Sequence, residues 1–232
     1  MIENSEMRLI RDENGLSLVA DGQVLRGDFT KMIPRIRQGA ISKELLVRAA
    51  KIKDADKPLT AIDATAGLGE DSLILAAAGF QVKMFELNPV IHQLLEDALK
   101  RAAETPELAD IVRRMELEHG DSVEAMGNLD FVPDVILLDP MFPERQKSAL
   151  VKKKLQVIQK LEIPCADEAE MILTAMAAKP KKLIVKRPPK GPYLAGLKPD
   201  FSIEGKAVRF DGFSSPYERL ERFRINVKEG KK

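Results

Sequence analysis

The alternation of predicted strands and helices between residues 58 and 190 constrains the fold more than any other feature of this sequence. Five short segments predict strands: LTAIDATAG, QVKMFELN, MELEHGDS, PDVILLDP and KKLIVKRPP. Helical segments lie between them, one ending at Gly79 and another beginning at Pro89. Because strands that alternate with helices form parallel sheets covered on both faces, the sequence predicts an α/β fold with a doubly wound, Rossmann-like sheet.

The two ends of the chain show a different pattern. Asn14-Gly15 lies between alternating apolar and polar residues and predicts a hairpin, and Ser42 is the predicted N-cap of a following helix. The charged stretch KDADKP then predicts a boundary between a small N-terminal lobe, 1–55, and a main domain, 56–232. Near the C-terminus, AVRFDGF and ERFRINV predict an antiparallel pair of strands.

Composition excludes several classes of protein. The single cysteine, Cys165, gives no disulfide framework, and no Cys/His cluster has the spacing of a metal site. No apolar run approaches the roughly 20 residues that cross a membrane, and the first residues lack an apolar signal core. We therefore expect a cytoplasmic protein with no metal and no membrane partner.

A glycine turn and a carboxylate predict a nucleotide-type cofactor. DATAGLG follows the first strand, where Gly67 and Gly69 allow a tight turn and a close approach of backbone to ligand. Glu86 ends the second strand, nineteen residues after Gly67, where a carboxylate can accept both hydroxyls of a ribose. The combination is more specific than either feature alone.

The residues after this turn favour S-adenosylmethionine (SAM) over a dinucleotide. The third position of the dinucleotide fingerprint is Ser72 instead of glycine. Glu70 and Asp71 are poor neighbours for a pyrophosphate, but they suit a cationic sulfonium or ammonium group. Asp63 either supports the loop or meets that ammonium, and Asp121 with Ser122 is placed to meet an adenine.

The segment that follows the fourth strand, LLDPMFP, predicts the reactive end of the site. Acceptors on Asp139 and on the Pro140 carbonyl could hold an exocyclic amine in line with a methyl group. Phe142 offers a ring on which an extruded base could stack. These three residues are the predicted catalytic set.

Basic residues are concentrated in three segments, 26–53, 145–160 and 179–190, each with a net charge of +6 in a chain whose total is only +1. Such segregation predicts a polyanion partner, and an RNA fits the predicted chemistry. The residues predicted to bind RNA are Arg35, Arg37, Lys147, Lys152, Lys153, Lys186 and Arg187.

Three stretches, DATAGLGEDSLILAAAGFQVKMFELNP, LLDPMFPERQKSALVKKK and VKRP, resemble the ribosomal RNA small subunit methyltransferase J family. The resemblance implies a class I methyltransferase fold and methyl transfer from SAM to a guanine N2 of small-subunit (16S) rRNA. It implies rRNA, or the assembling small subunit, as the partner. It also implies cofactor contacts at Glu70, Asp71, Glu86, Leu87, Asp121, Ser122 and Asp139.

Other functions remain open at this stage. The same cofactor and loop suit DNA adenine, a protein amide or a small molecule as the methyl acceptor. The family pattern has other residues where this chain has Glu70, Leu87 and Asp121, which leaves a catalytically inactive RNA-binding relative as an alternative. Ser72 argues against an NAD-dependent oxidoreductase.

Overall fold

The computed structural model describes residues 7–20, 22–53, 58–140 and 167–221. Its first three strands, β1 (Arg8–Asp12), β2 (Gly15–Ala20) and β3 (Gln23–Leu25), form a small antiparallel sheet. The short helices α1 (Ile33–Ile36) and α2 (Leu45–Ala50) follow. The predicted hairpin is confirmed, with Asp12 opposite Gly15 in the register.

The main sheet has seven strands: β4 (Thr60–Asp63), β5 (Gln81–Glu86), β6 (Met115–His119), β7 (Val135–Leu138), β8 (Lys182–Arg187), β9 (Phe201–Glu204) and β10 (Arg209–Ser214). The helices around it are α3 (Glu70–Ala77), α4 (Pro89–Ala103), α5 (Pro106–Val112), α6 (Ser122–Gly127) and α7 (Glu168–Ala177). The strand order is β6-β5-β4-β7-β8-β10-β9, with β4 to β8 parallel. This confirms the predicted doubly wound sheet.

An antiparallel C-terminal pair is present, and AVRFDGF contributes strand β10 to it. Strand β10 pairs antiparallel with both β8 and β9. On the side away from β8, its partner among the described residues is FSIE, which forms β9. Residues 222–227 of the other predicted strand, ERFRINV, lie outside the described residues.

The local sequence explains where the helices around the site begin. Asn88 caps α4 by accepting from the N–H groups of Val90 and Ile91, and Pro89 occupies the first turn, where its missing N–H has no bond to lose. Helix α3 begins directly after Gly69, which has a φ of 76°, a conformation that residues with a side chain rarely adopt. The predicted cap of α2 is wrong, since Ser42 lies in a separate 3-10 turn and α2 follows Glu44.

The N-terminal segment shares the main hydrophobic core. Phe29, Met32 and Leu46 belong to the same buried cluster as Leu73 of α3 and Leu137 of β7. Hydrogen bonds reinforce this packing, since the Lys182 ammonium donates to the carbonyls of Ala49 and Lys51 at 3.1 and 2.6 Å. The boundary proposed between residues 55 and 56 stays a prediction.

Candidate active site

Four neighbouring strands present carboxylates at one edge of the sheet. Glu86 ends β5 and Asp63 ends β4, while Asp139 follows β7 directly and Asp121 lies two residues after β6. Because these strands are parallel and adjacent, in the order β6-β5-β4-β7, their carboxyl ends meet at the same edge. This is where open α/β sheets bind ligands. The structure therefore brings together four side chains that the sequence predicted for one site.

The Glu86 carboxylate is bonded to the glycine turn. Its Oε2 accepts from the N–H of Gly67 at 2.9 Å, and its Oε1 accepts from the N–H of Asn88 at 2.8 Å. Burial raises the pKa of Glu86, whereas these two N–H groups act to lower it. One side chain thus fixes both the turn after β4 and the start of α4.

The two glycines of the turn have different roles. A Cβ on Gly69 would lie 2.6 Å from Cδ1 of Leu95, so a glycine here lets the turn before α3 pack closely against the Leu95 side chain of α4. A Cβ on Gly67 would have only the Thr65 carbonyl within 4.0 Å. Both residues have positive φ, 55° for Gly67 and 76° for Gly69. Gly67 therefore leaves space for a ligand to approach the backbone.

A short hydrogen-bond chain joins the turn to the predicted catalytic strand end. Buried Asp63 accepts from the N–H of Thr65 at 3.1 Å and from the Ser72 hydroxyl at 2.6 Å. The Thr65 hydroxyl in turn accepts from the N–H of Asp139 at 2.7 Å. Burial raises the pKa of Asp63 to about 7, although the hydrogen bond from Ser72 acts to lower it. Sequence reasoning missed Thr65, although its position inside DATAG was a signal.

Lys186 bridges two carboxylates of the site. Its ammonium lies 2.5 Å from Oδ2 of Asp71 and 2.9 Å from Oδ2 of Asp139. Burial disfavours the ammonium, but the two carboxylates outweigh it and raise the pKa of Lys186 above its ordinary range. Burial likewise raises the pKa of Asp139, and Lys186 opposes that shift. The lysine therefore connects the first turn of α3 with the end of β7.

This geometry bears on two predicted RNA contacts, Lys186 and Arg187. The Arg187 side chain is 0% exposed, and its Nε donates to the Pro192 carbonyl at 2.8 Å. Such burial argues against a phosphate contact at Arg187, which stays a prediction. The charge of Lys186 is committed to its two carboxylates, which argues against a phosphate contact there.

The other predicted RNA-binding residues are only partly described. Arg35 makes two bonds to the Glu44 carboxylate, at 2.9 and 2.7 Å, and its side chain is half exposed. Arg37 is exposed. Lys147, Lys152, Lys153 and the predicted stacking residue Phe142 lie outside the described residues.

The outer part of the site lies on β5, β6 and α6. Asp121 is exposed and caps α6 by accepting from the Val123 N–H at 2.8 Å, while Ser122 is buried at the start of that helix. Leu87 is 42% exposed, and its carbonyl accepts from His119 Nε2 at 3.1 Å. A pocket of about 390 Å³ reaches Asp121 but does not include Glu86. Glu70 is exposed in the first turn of α3.

Two kinds of feature are absent from the part of the chain that the structure describes. Within it, no group of three or more His, Cys, Asp or Glu side chains is arranged to hold a metal ion. No helix in the same residues is long and apolar enough to span a bilayer.

The strand order, the glycine turn and the row of carboxylates are those of a SAM-dependent methyltransferase. A family model described as "Putative SAM-dependent methyltransferase" matches residues 1–215, and the protein is an enzyme of that class with SAM as its methyl donor. A solved SAM-dependent methyltransferase from Neisseria gonorrhoeae is 31% identical, with a TM-score of 0.73 over 93% of this chain and 85% of that one. The rRNA methyltransferase AviRa from Streptomyces viridochromogenes, 16% identical with a TM-score of 0.53 over 79% of this chain and 86% of its own, shares the fold.

Curated relatives identify the particular family. Ribosomal RNA small subunit methyltransferase J from Nitrosococcus oceani is 46% identical over 195 residues, which cover 82% of this chain and 76% of the relative. The protein of the same name from Thioalkalivibrio sulfidiphilus is 43% identical over 211 residues, covering 88% and 82%. The chain belongs to the ribosomal RNA small subunit methyltransferase J family.

Proposed function

We propose that this protein methylates the exocyclic N2 of a guanine in small-subunit (16S) rRNA, free or in the assembling subunit, in the cytoplasm. The rRNA substrate is supported by the name that its relatives carry. The observation that carries the catalytic assignment is the bond between the Asp139 N–H and the Thr65 hydroxyl. It holds the predicted reactive strand end beside the predicted cofactor turn.

The residues present fit SAM as the bound donor. Gly67 leaves open space beside its backbone, and the buried Glu86 carboxylate keeps lone pairs for ribose hydroxyls beyond its two N–H partners. When bound, SAM supplies a methyl group on a positively charged sulfur. Asp63, in its ionised form, makes the surroundings favourable for such a cation, and Asp71, which is paired with Lys186, belongs to the proposed cofactor set by its position in the first turn of α3. Gly69, Glu70, Leu87, Asp121 and Ser122 complete the proposed cofactor set.

At the reactive end, we assign the acceptors of the target amine to Asp139 and the Pro140 carbonyl. Two acceptors on the amine hydrogens orient the nitrogen lone pair toward the methyl group and favour positive charge on that nitrogen. With SAM bound, the new N–C bond would form as the bond between the methyl carbon and the sulfur breaks, leaving its electron pair on the sulfur, and the amine proton would pass to the Asp139 carboxylate or to water. Lys186 favours the ionised form of Asp139 in spite of burial, which keeps the carboxylate able to accept.

Substitution of Asp139 tests this assignment. We expect Asp139→Asn to lower kcat for small-subunit rRNA at saturating SAM by about 100-fold, the usual effect of removing a positioned proton acceptor. Asp110→Asn is the matched control, because Asp110 is an exposed aspartate on α5 whose ion pair lies at the surface. Phe142→Ala tests the proposed stacking ring in the same assay.

Mass-spectrometric mapping of the methylated RNA identifies the acceptor. Methyl groups on guanine N2 support the proposal, whereas methylation of DNA adenine, a protein amide or a small molecule by the same protein would replace it. Wild-type kcat in Asp139→Asn would remove Asp139 from the mechanism. A protein that binds RNA but transfers no methyl group would be an inactive relative.

A further inference from the structure

Tyr193 is the most exposed aromatic side chain among the described residues, with 38% of its surface accessible. It lies in the loop RPPKGPY, which leaves the carboxyl end of β8. Lys186, near the end of the same strand, contacts Asp139. Loops at the carboxyl ends of parallel strands carry the ligand contacts in open α/β sheets. The loop that carries this exposed ring therefore leaves β8 at the end of the sheet where the proposed site lies.

Two arginines with little solvent exposure hold this loop in place. Arg187 Nε donates to the Pro192 carbonyl at 2.8 Å. Arg209 donates to the carbonyls of Pro189 and Gly191 at 2.8 and 3.1 Å. Burying an arginine is unfavourable unless its charge is compensated, and here the carboxylates of Asp211 and Glu168 lie beside Arg209 and Arg187. Prolines restrict the backbone of the same loop further.

The Tyr193 ring is itself oriented. The Arg209 guanidinium lies over it, 5.1 Å from the ring centroid, and two bonds to Asp211 at 2.8 Å fix that guanidinium. The cation occupies one side of the ring and leaves the exposed remainder to solvent. A ring that is immobilised before binding loses little conformational entropy when a flat ligand stacks on it.

We propose that Tyr193 is a stacking platform for an unpaired base of the RNA substrate. This inference rests on the proposed function and adds a substrate-binding residue outside the predicted catalytic loop. Bases stack on aromatic side chains whatever their sequence, and exposed Lys190 in the same loop offers a charge for the adjoining phosphate.

Steady-state kinetics test the platform. Tyr193→Ala is expected to raise KM for small-subunit rRNA by about 5- to 150-fold, the range for loss of one stacked base, with kcat and the Kd of SAM unchanged. Tyr193→Phe keeps the ring and is expected to behave like wild type. Unchanged KM in Tyr193→Ala, or an equal loss in Tyr193→Phe, would overturn the stacking assignment.

Tyrosine fluorescence tests the contact without catalysis. The chain has no tryptophan and two tyrosines, so Tyr217→Phe leaves Tyr193 as the only strong emitter. We expect a single-stranded RNA of about ten nucleotides to quench that emission. The reverse variant, Tyr193→Phe, corrects for absorption by the RNA and should show no specific quenching.

The two measurements separate failure of this inference from failure of the proposed function. Suppose that wild type methylates rRNA, but RNA does not quench Tyr193 and Tyr193→Ala does not change KM. This result refutes the stacking platform and leaves the proposed function intact. Absence of methyl transfer to any RNA by wild type refutes the proposed function, while quenching still decides whether Tyr193 binds RNA.

Discussion

The buried carboxylate of Asp63 makes a specific prediction about stability and pH. Its pKa is raised to about 7 from an ordinary 3.8, mainly by burial. In the unfolded chain the carboxyl group of Asp63 ionises near pH 4. Between about pH 4 and 7 the folded protein therefore carries a proton on Asp63 that the unfolded chain has lost. The stabilisation from this protonation is complete below pH 4 and is lost as pH rises to about 7.

The size of the effect follows from the two pKa values. The difference between 3.8 and about 7, at roughly 1.4 kcal/mol per pH unit, corresponds to about 4 kcal/mol. Asp63→Asn keeps the shape of the side chain and can still bond Thr65 and Ser72, but it does not ionise. We therefore expect the variant to match wild type near pH 4 and to be more stable by up to about 4 kcal/mol above pH 7.

Urea unfolding of both proteins from pH 4 to 8 measures this difference. A parallel calorimetric titration with SAM at pH 8 should show weaker binding to the more stable variant, because the carboxylate near the proposed cation is gone. A stability difference that does not change with pH would refute the titration of Asp63. Equal SAM affinity would refute its role toward the cofactor.

Three further substitutions test the rest of the site. Glu86→Gln places an amide N–H₂ group against the N–H of Gly67 or Asn88, which loses its acceptor. Calorimetry should therefore show that the Kd of SAM rises about tenfold to a hundredfold. Glu124→Gln, at an exposed glutamate, is the control. Lys186→Met removes the cation that lowers the pKa of Asp139, so the acid limb of the kcat/KM profile should move to higher pH, while Lys186→Arg should keep it nearer wild type. Gly69→Ala should lower the free energy of unfolding by about 1–3 kcal/mol in urea titrations, because its Cβ meets Leu95. Gly22→Ala, also at positive φ but in open space, isolates the backbone contribution.

The parallel strands and their polar ends could be predicted because both are local in the sequence. Gly67 and Glu86 are nineteen residues apart, and the turn, helix and strand between them are enough to bring the Glu86 carboxylate to the Gly67 N–H. Strand β9 was missed because it has only four residues and lies at the edge of the sheet, where its apolar side chains are only partly buried and give a weak signal.

The partners of Lys186 could not be predicted, because they depend on tertiary contacts. Asp71 is 115 residues away along the chain and meets Lys186 only because the fold brings the first turn of α3 close to the end of β8. Successive side chains in a strand point to opposite faces, so Lys186 and its neighbour Arg187 enter different environments. A run of basic residues at the end of a strand therefore predicts local positive charge, but it does not predict which of the side chains are exposed.

The packing of α2 bears on how the chain folds. Its carbonyl at Ala49 accepts from Lys182, 133 residues later in the sequence, and the helix also contacts β9 and β10. During synthesis, the residues of α2 emerge long before the strands against which they are buried. Leu46 and its neighbours can pack against α3 earlier, but their burial is complete only when the last strands have left the ribosome. Contacts this distant in sequence slow folding, and a fragment starting at residue 56 would lack one wall of its own core.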